Sequence, residues 1–98
     1  MTVHFESEAL EEYRDAVIYS EECFGLGEQF VQAVEAALAV IARDPGRFQP
    51  VGEGVRIYRM SRFPYYLFYH HSPTSQAINI FAVAHHSRKP VYWRERLR

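Results

Sequence analysis

Residues 44–54, Asp-Pro-Gly-Arg-Phe-Gln-Pro-Val-Gly-Glu-Gly, separate two parts of the chain that differ in hydrophobic period. The stretch holds two prolines and three glycines, a composition that predicts a loop. Before it, apolar residues recur every three or four positions, as in amphipathic helices. After it, apolar residues alternate with polar ones or form short continuous runs, as in strands. The chain is therefore predicted to consist of a helical half followed by a strand half.

Two helices are predicted before this loop. The first covers about residues 8–23 and ends at Gly25, because glycine readily adopts the left-handed conformation that ends helices. The second begins near Gly27 or Glu28 and stops before Pro45, which cannot continue a helix. The short connection between them predicts a helical hairpin. Their aromatic side chains are expected in the core: Tyr13, Tyr19, Phe24 and Phe30.

Three consecutive strands are predicted after the loop, at residues 55–59, 65–69 and 78–84, and one short strand precedes the helices at residues 3–5. A short helix is predicted from Pro90. The resulting fold is an α+β single domain over residues 1–98, in the order β-α-α-β-β-β with a short C-terminal helix. The hairpin packs on one face of an antiparallel sheet, so the opposite face is expected to need water or a partner.

The formal net charge of −1 conceals a strong asymmetry along the chain. Residues 1–49 carry ten acidic and three basic side chains, whereas residues 50–98 carry two acidic and eight basic ones, giving −7 and +6. Ten of the eleven basic residues are arginine, whose planar guanidinium binds phosphate or carboxylate through two hydrogen bonds. The basic half therefore indicates an anionic partner, although solvent-exposed arginines would produce the same composition.

Several classes of protein are disfavoured by what the sequence lacks. It has no secretion signal and no apolar run long enough for a membrane span, and its single cysteine, Cys23, allows no disulfide framework, so a cytoplasmic protein is expected. It has no glycine-rich phosphate loop and no serine nucleophile elbow. The pairs His70-His71 and His85-His86 lack an obvious third ligand for a metal ion. Neither a metal nor a cofactor is expected.

Histidine, arginine and tyrosine near the end of the chain are the groups that metal-independent RNA cleavage requires. That reaction needs a base, an acid and cations that stabilise the developing phosphate charge. The candidate catalytic residues are Arg59, His85, His86, Arg88 and Tyr92. The same residue types are typical of a surface that binds RNA or an acidic peptide without catalysis.

A second group of residues is predicted to contact a partner. Arginine and large apolar side chains share the faces of the strand at residues 55–59, a mixture more typical of a binding surface than of a core. Trp93 is interpreted either as a packing anchor for the C-terminal tail or as an interface residue. The candidate partner-binding residues are Arg56, Tyr58, Arg62, Tyr66, Trp93 and Arg96.

Four motifs give the chain a resemblance to a known family. They are Phe-Gly-Leu-Gly at residues 24–27, the helix stop at residues 41–45, Arg-Phe-Pro-Tyr at residues 62–65, and the segment Val-Ala-His-His-Ser-Arg-Lys-Pro-Val-Tyr-Trp at residues 83–93. In this order they resemble the RelE/ParE toxins of bacterial type II toxin–antitoxin systems. The resemblance implies the β-α-α-β-β-β fold, growth inhibition, and a cognate antitoxin that wraps and neutralises the toxin.

The family divides into two mechanisms. RelE-like members cleave mRNA on the ribosome, and ParE-like members poison DNA gyrase. Arg59, Arg88 and Tyr92 match basic and tyrosine positions of RelE-like toxins, whereas Tyr66 replaces a catalytic arginine and His86 replaces another basic residue. The motifs at residues 24–27 and 88–93 are more similar to ParE-like sequences.

Three functions remain open at this point. The favoured one is a ParE-like gyrase inhibitor, which would not be an enzyme. The alternatives are a RelE-like endoribonuclease that acts on ribosome-bound mRNA, and a non-toxic module that binds RNA or a peptide. A homodimer and a toxin–antitoxin hetero-oligomer are both compatible with the sequence.

Overall fold

The computed structural model describes residues 2–71, 74, 76–88 and 92–96 and arranges them as a helical hairpin on one face of a five-stranded sheet. The predicted α+β class is therefore confirmed. A 3₁₀ turn lies at Pro45–Arg47, and a second 3₁₀ element, the C-terminal segment, lies at Tyr92–Arg96. Pro90, where the sequence predicts the start of a short helix, lies outside the described residues. The other elements are β1 (Thr2–Phe5), α1 (Ser7–Phe24), α2 (Gly27–Arg43), β2 (Gln49–Gly52), β3 (Val55–Arg59), β4 (Tyr65–His71) and β5 (Ala77–His85).

The sheet has the strand order β1-β5-β4-β3-β2 and is mixed. The strands from β2 to β5 form an antiparallel meander, whereas β1 pairs parallel to β5, with Val3 opposite Ile78 and Phe5 opposite Ile80. The prediction of a wholly antiparallel sheet is therefore wrong at one edge. The helical hairpin and the strands β2 to β4 together form the long connection between the parallel strands β1 and β5.

The predicted loop at residues 44–54 contains the edge strand β2, so the loop prediction is wrong for residues 49–52. Pro50 lies opposite Arg56 in the pairing of β2 with β3. Proline is tolerated there because an edge strand needs ladder hydrogen bonds on one side only. The turn to β3 has positive φ angles of 105° at Gly52, 57° at Glu53 and 78° at Gly54, and glycine adopts such angles without steric cost.

The connection between the helices follows the predicted hairpin closely. Gly25 has a φ of 68°, and its N–H donates to the carbonyl of Glu21 at 2.9 Å, while Leu26 N–H donates to the carbonyl of Ser20 at 3.0 Å. These bonds satisfy the last carbonyls of α1. The Glu21 carboxylate then accepts the N–H of Gly27 at 3.0 Å, at the first residue of α2. The two helices therefore approach closely at Gly27.

A side chain at position 27 is expected to destabilise the hairpin. A Cβ atom there would lie 2.9 Å from Glu21 Cβ and 3.3 Å from the Val17 carbonyl oxygen. We expect Gly27→Ala to lower the free energy of unfolding by about 1 kcal/mol, because overpacking outweighs the better helix propensity of alanine. Chemical denaturation measures this change. Gly46→Ala is the control, since nothing lies within 4 Å of its Cβ; equal stability of the two variants would contradict the close approach.

Both faces of the sheet carry buried apolar side chains. The helices cover one face, where Phe30 and Ile41 pack against Leu67 and Ile80. On the opposite face Trp93 is completely buried, and it packs with Val55, Ile57, Phe68, Ala82 and Ala84. The expectation that this face is open is therefore wrong in part, because the C-terminal segment of the same chain covers it.

Candidate partner-binding site

An apolar groove with a volume of about 640 Å³ lies between the helical hairpin and the β3–β4 turn. Its floor is a stripe of α2 that includes Gln29, Ala33, Ala36 and Val40, residues spaced three or four apart on one side of the helix. From Gln29 to Val40 the stripe covers twelve residues, or roughly 16 Å over the eleven steps at the helical rise. Because alanine side chains are short, a second polypeptide can approach the backbone of α2 closely.

Exposed aromatic and aliphatic side chains form the helical wall of the groove. Tyr19 is 50% exposed, Phe24 66% and Leu26 39%, and all three line the groove. The prediction that Tyr19 and Phe24 belong to the core is therefore wrong. The buried residues of α1 are instead Ala9, Ala16 and Ser20. An exposed apolar surface of this kind indicates a docking site.

The opposite wall comes from the sheet and includes three residues that the sequence singled out. Tyr58 on β3, Arg62 in the β3–β4 turn and His85 at the end of β5 all line the groove. Apolar side chains of Met60 and Phe63 lie between them on the same wall. The predicted partner-binding residues Tyr58 and Arg62 are therefore placed on the apolar groove, together with one predicted catalytic histidine.

A second site lies where the C-terminal segment meets α1 and the edge of β5. The Glu12 carboxylate accepts two hydrogen bonds from Arg96, at 3.0 and 2.8 Å, and one from the Tyr92 hydroxyl at 2.9 Å. It also accepts the backbone N–H of Val83 at 3.0 Å, while Arg96 donates to the carbonyl of Phe81 at 2.8 Å. Glu12 and Arg96 thereby satisfy backbone groups on the part of β5 that lies beyond the end of β1.

Burial and hydrogen bonding hold the protons of this cluster in place. Burial raises the pKa of Glu12, but the hydrogen bonds from Arg96, Val83 and Tyr92 outweigh it and leave the pKa below its usual value. Burial also raises the pKa of the Tyr92 hydroxyl, and the neighbouring Glu12 charge raises it further. The Tyr92 proton is therefore bound tightly and donated to Glu12, which makes Tyr92 a structural group in this arrangement.

The remaining candidate catalytic residues are only partly brought together. Arg88 lies with its guanidinium 4.1 Å from the centre of the Tyr92 ring and 3.5 Å from Glu12. Arg59 instead lies over the Tyr66 ring at 5.7 Å and donates to Gln49. Within the described part of the chain, no hydrogen bond, ion pair or ring contact joins Arg59 to the Glu12 cluster.

The two histidines at the end of β5 are adjacent in space. Their ring centres are 4.6 Å apart, because β5 ends at His85 and His86 lies in the following turn. The two imidazoles therefore do not point to opposite faces of a strand, as adjacent strand residues would. His85 Nδ1 accepts the backbone N–H of Ser87 at 3.1 Å and lies 2.8 Å from its hydroxyl oxygen. Among the residues described, no group of three His, Cys, Asp or Glu side chains could hold a metal ion.

Three predicted partner-binding residues are directed into the protein itself. Trp93 has no exposed surface, which agrees with the packing anchor rather than the interface residue. The guanidinium of Arg96 donates to the Glu12 carboxylate. Arg56 donates to the carbonyl of Phe48 at 2.6 Å. In this fold Trp93 and Arg96 present little or no surface to a partner.

Sequence reasoning missed Glu12, which lies in the acidic half and yet organises the basic C-terminal segment. The positional signal was present, since Glu12 lies between Ala9 and Ala16 on the helix and therefore near its buried face. The cluster could not be assembled from sequence because Glu12 and Arg96 are 84 residues apart.

Comparisons with known proteins agree with this architecture. A family sequence model described as "ParE toxin of type II toxin-antitoxin system, parDE" matches residues 3–90. A chain of the chromosomal ParDE toxin–antitoxin system from P. aeruginosa superposes with a TM-score of 0.64 at 15% identity, covering 87% of this chain and 95% of that one. At this identity the likeness shows the fold. No curated protein matches the sequence. In the described part of the chain, no helix is long and apolar enough to cross a membrane.

Proposed function

Because the chain belongs to the ParE toxin family of type II toxin–antitoxin systems, we propose that it is a growth-inhibiting toxin that inhibits DNA gyrase and is neutralised by a cognate antitoxin. The P. aeruginosa protein of the same fold comes from a ParDE toxin–antitoxin system, which supports the antitoxin partner. Gyrase is the target that the ParE-like resemblance implies. Such a toxin acts in the cytoplasm, where its target is found.

The observation that supports an antitoxin most directly is the apolar groove. Its walls expose Tyr19 and Phe24, whose burial by a partner is favourable at about 25 cal/mol for each Å² of apolar surface covered. The groove lies on the helical side of the sheet, between the helical hairpin and the β3–β4 turn. Because the floor of the groove is one side of a helix, an amphipathic helix lying along α2 is the occupant that the groove fits.

The charge of the chain suits the same partner. Antitoxin segments that fold on binding are commonly acidic, and the basic residues concentrate in the half of the chain that forms most of the sheet and the C-terminal segment. A hetero-oligomer of toxin and antitoxin is therefore proposed for the neutralised state. A homodimer of the free toxin stays a prediction.

The geometry of the C-terminal segment favours the gyrase inhibitor over the ribonuclease. Tyr92, which RelE-like catalysis would use, is held by Glu12 as a hydrogen-bond donor. Tyr66 occupies the central-strand position at which RelE-like toxins carry an arginine, and it lies under Arg59. If Tyr92 takes no part in catalysis, three groups that could support RNA cleavage are left: Arg88, His85 and His86. RNA cleavage of the RelE-like kind is therefore the second function to be tested, and binding by a non-toxic module is the third.

A charged side chain in the groove floor is expected to prevent neutralisation. Ala36 is exposed and lines the groove, so Ala36→Glu adds bulk and negative charge without disturbing the core. We expect the affinity for an acidic antitoxin to fall by about 100-fold, the size of an interface hot spot. Growth is measured when the toxin is co-expressed with its cognate antitoxin, and binding is measured by titration calorimetry.

The matched control is Ala39→Glu, which changes an exposed alanine of the same helix that does not line the groove. Wild type and Ala39→Glu are expected to be rescued by the antitoxin, whereas Ala36→Glu is expected to remain toxic. Equal rescue of both variants would contradict the groove as the antitoxin site. Absence of growth inhibition by the wild-type chain alone would contradict its function as a toxin.

A further inference from the structure

We infer that Arg62 selects the partner of the groove by pairing with a carboxylate on the bound helix. This inference rests on the proposed function, because it takes the apolar groove as the antitoxin site. The partner would therefore be an amphipathic helix with an apolar stripe and one aspartate or glutamate placed at the sheet end of the groove. The pair would fix the register of the helix along α2 and distinguish a cognate antitoxin from others.

Arg62 differs in charge from every other residue that lines the groove. The rest of the lining is apolar or carries neutral amide and hydroxyl groups, apart from the imidazole of His85. Arg62 is exposed, and its side chain makes no hydrogen bond, ion pair or ring contact with any of the described residues. Its guanidinium is therefore available to a ligand, in contrast to those of Arg56 and Arg96.

The turn that carries Arg62 is fixed by hydrogen bonds and packing. Met60 N–H donates to the carbonyl of Tyr65 at 3.1 Å, and the Tyr65 N–H donates to the carbonyl of Phe63 at 2.8 Å. The Phe63 ring packs edge-on against Phe30 of α2, with their centres 5.1 Å apart. Because the backbone is held, less conformational freedom is lost when the side chain forms an ion pair.

The surroundings of Arg62 make such a pair more favourable than one on an open surface. Met60 and Phe63 flank it in the groove wall, and a bound apolar helix would exclude water from that end. Excluding water lowers the effective dielectric constant and strengthens the attraction between opposite charges. Guanidinium groups bind carboxylates through two parallel hydrogen bonds, which fixes geometry as well as charge. A partner with lysine at that point would instead be repelled.

A displayed peptide library tests this inference without knowledge of the antitoxin. Each member is an 18-residue helical peptide with leucine and alanine at the apolar positions and randomised residues along both borders of the apolar stripe. Peptides are selected on the wild-type chain, on Arg62→Glu and on Arg14→Glu. Arg14 is an exposed arginine of α1 that does not line the groove, so its variant controls for net charge.

We expect aspartate or glutamate to be enriched at one border position with the wild-type chain and with Arg14→Glu, and lysine or arginine to replace it with Arg62→Glu. The dissociation constant of a selected acidic peptide should rise about 10-fold with Arg62→Glu, and Arg62→Gln should remove the preference without reversing it. Circular dichroism confirms that each variant is folded.

The possible failures of the two proposals are distinguishable. Selected peptides without an acidic preference, whose binding Ala36→Glu still abolishes, would overturn the role of Arg62 and leave the groove as the docking site. If no peptide is selected, or if Ala36→Glu leaves the binding of selected peptides unchanged, the groove itself does not bind a helix, and this part of the proposed function is wrong.

Discussion

Replacing Trp93 with alanine is expected to lower the free energy of unfolding by about 3–5 kcal/mol, the range observed when a buried aromatic side chain is removed. The indole has no exposed surface, and its ring lies 5.5 Å from that of Phe68. It covers the apolar cluster on the face opposite the helical hairpin, which includes Val55, Ile57 and Ala82. Within the described residues no α-helix covers that face of the sheet. The cavity left by the indole would therefore open to water and expose this core.

Urea denaturation followed by circular dichroism measures the change in the free energy of unfolding. Tryptophan fluorescence cannot follow this variant, because Trp93 is the only tryptophan of the chain. Arg94→Ala is the control, since Arg94 is the exposed neighbour in the same segment. We expect the control to stay within about 0.5 kcal/mol of the wild type. A loss below about 1 kcal/mol for Trp93→Ala would mean that the C-terminal segment is not docked on the sheet.

Removing the Glu12 carboxylate is expected to have the second largest effect. Glu12→Ala leaves the Arg96 guanidinium, whose side chain is only 14% exposed, without its main counter-charge. It also leaves the Val83 N–H and the Tyr92 hydroxyl without their acceptor. We expect a loss of about 2–4 kcal/mol, since breaking a buried ion pair costs more than an exposed pair contributes. Denaturation of Glu12→Ala and of its exposed neighbour Glu11→Ala gives the comparison.

The stabilisation by Glu12 should also depend on pH in a defined direction. The pKa of Glu12 is lowered in the folded chain from its usual value of 4.5. A carboxylate with a lowered pKa stabilises the folded state above its unfolded pKa, and this contribution is lost as the pH falls through the folded pKa. The stability difference between wild type and Glu12→Gln should therefore be complete near pH 7 and shrink below pH 4.5. A difference that is constant from pH 7 to about pH 3 would contradict the charge interaction.

The parts of the fold that the sequence predicts are those governed by local interactions. The helical hairpin follows from apolar spacing and from Gly25, whose left-handed conformation ends α1. The meander follows from short apolar runs between turns. Two features depend on long-range pairing and could not be read locally: β1 lies parallel to β5, and Gln49–Gly52 pairs with β3 despite its proline and glycine content.

Two residues that line the groove were singled out by the sequence, but the groove itself was not predicted. Tyr58 and Arg62 are predicted partner contacts, and both line the groove. The groove itself was missed because Tyr19 and Phe24 have the helical spacing of core residues, yet both remain exposed. Spacing shows which residues share a side of a helix. It does not show how far along the helix the sheet extends.

Contacts between distant parts of the chain also bear on the hypothesis of RNA cleavage. A list of basic and aromatic residues in the last part of the chain is compatible with RNA cleavage. The structure adds an acidic residue from α1, and Glu12 binds Tyr92 and Arg96 while lying 3.5 Å from Arg88. These contacts stabilise the C-terminal segment, and the catalytic role of Arg88 and Tyr92 stays a prediction.

The most direct test of the proposed function is the supercoiling activity of purified DNA gyrase in the presence of the purified chain, with cleavage of ribosome-bound mRNA measured on the same preparation. We predict that supercoiling is inhibited, that the antitoxin restores it, and that the mRNA remains intact. Full gyrase activity together with cleaved mRNA would contradict the ParE-like function and establish the ribonuclease.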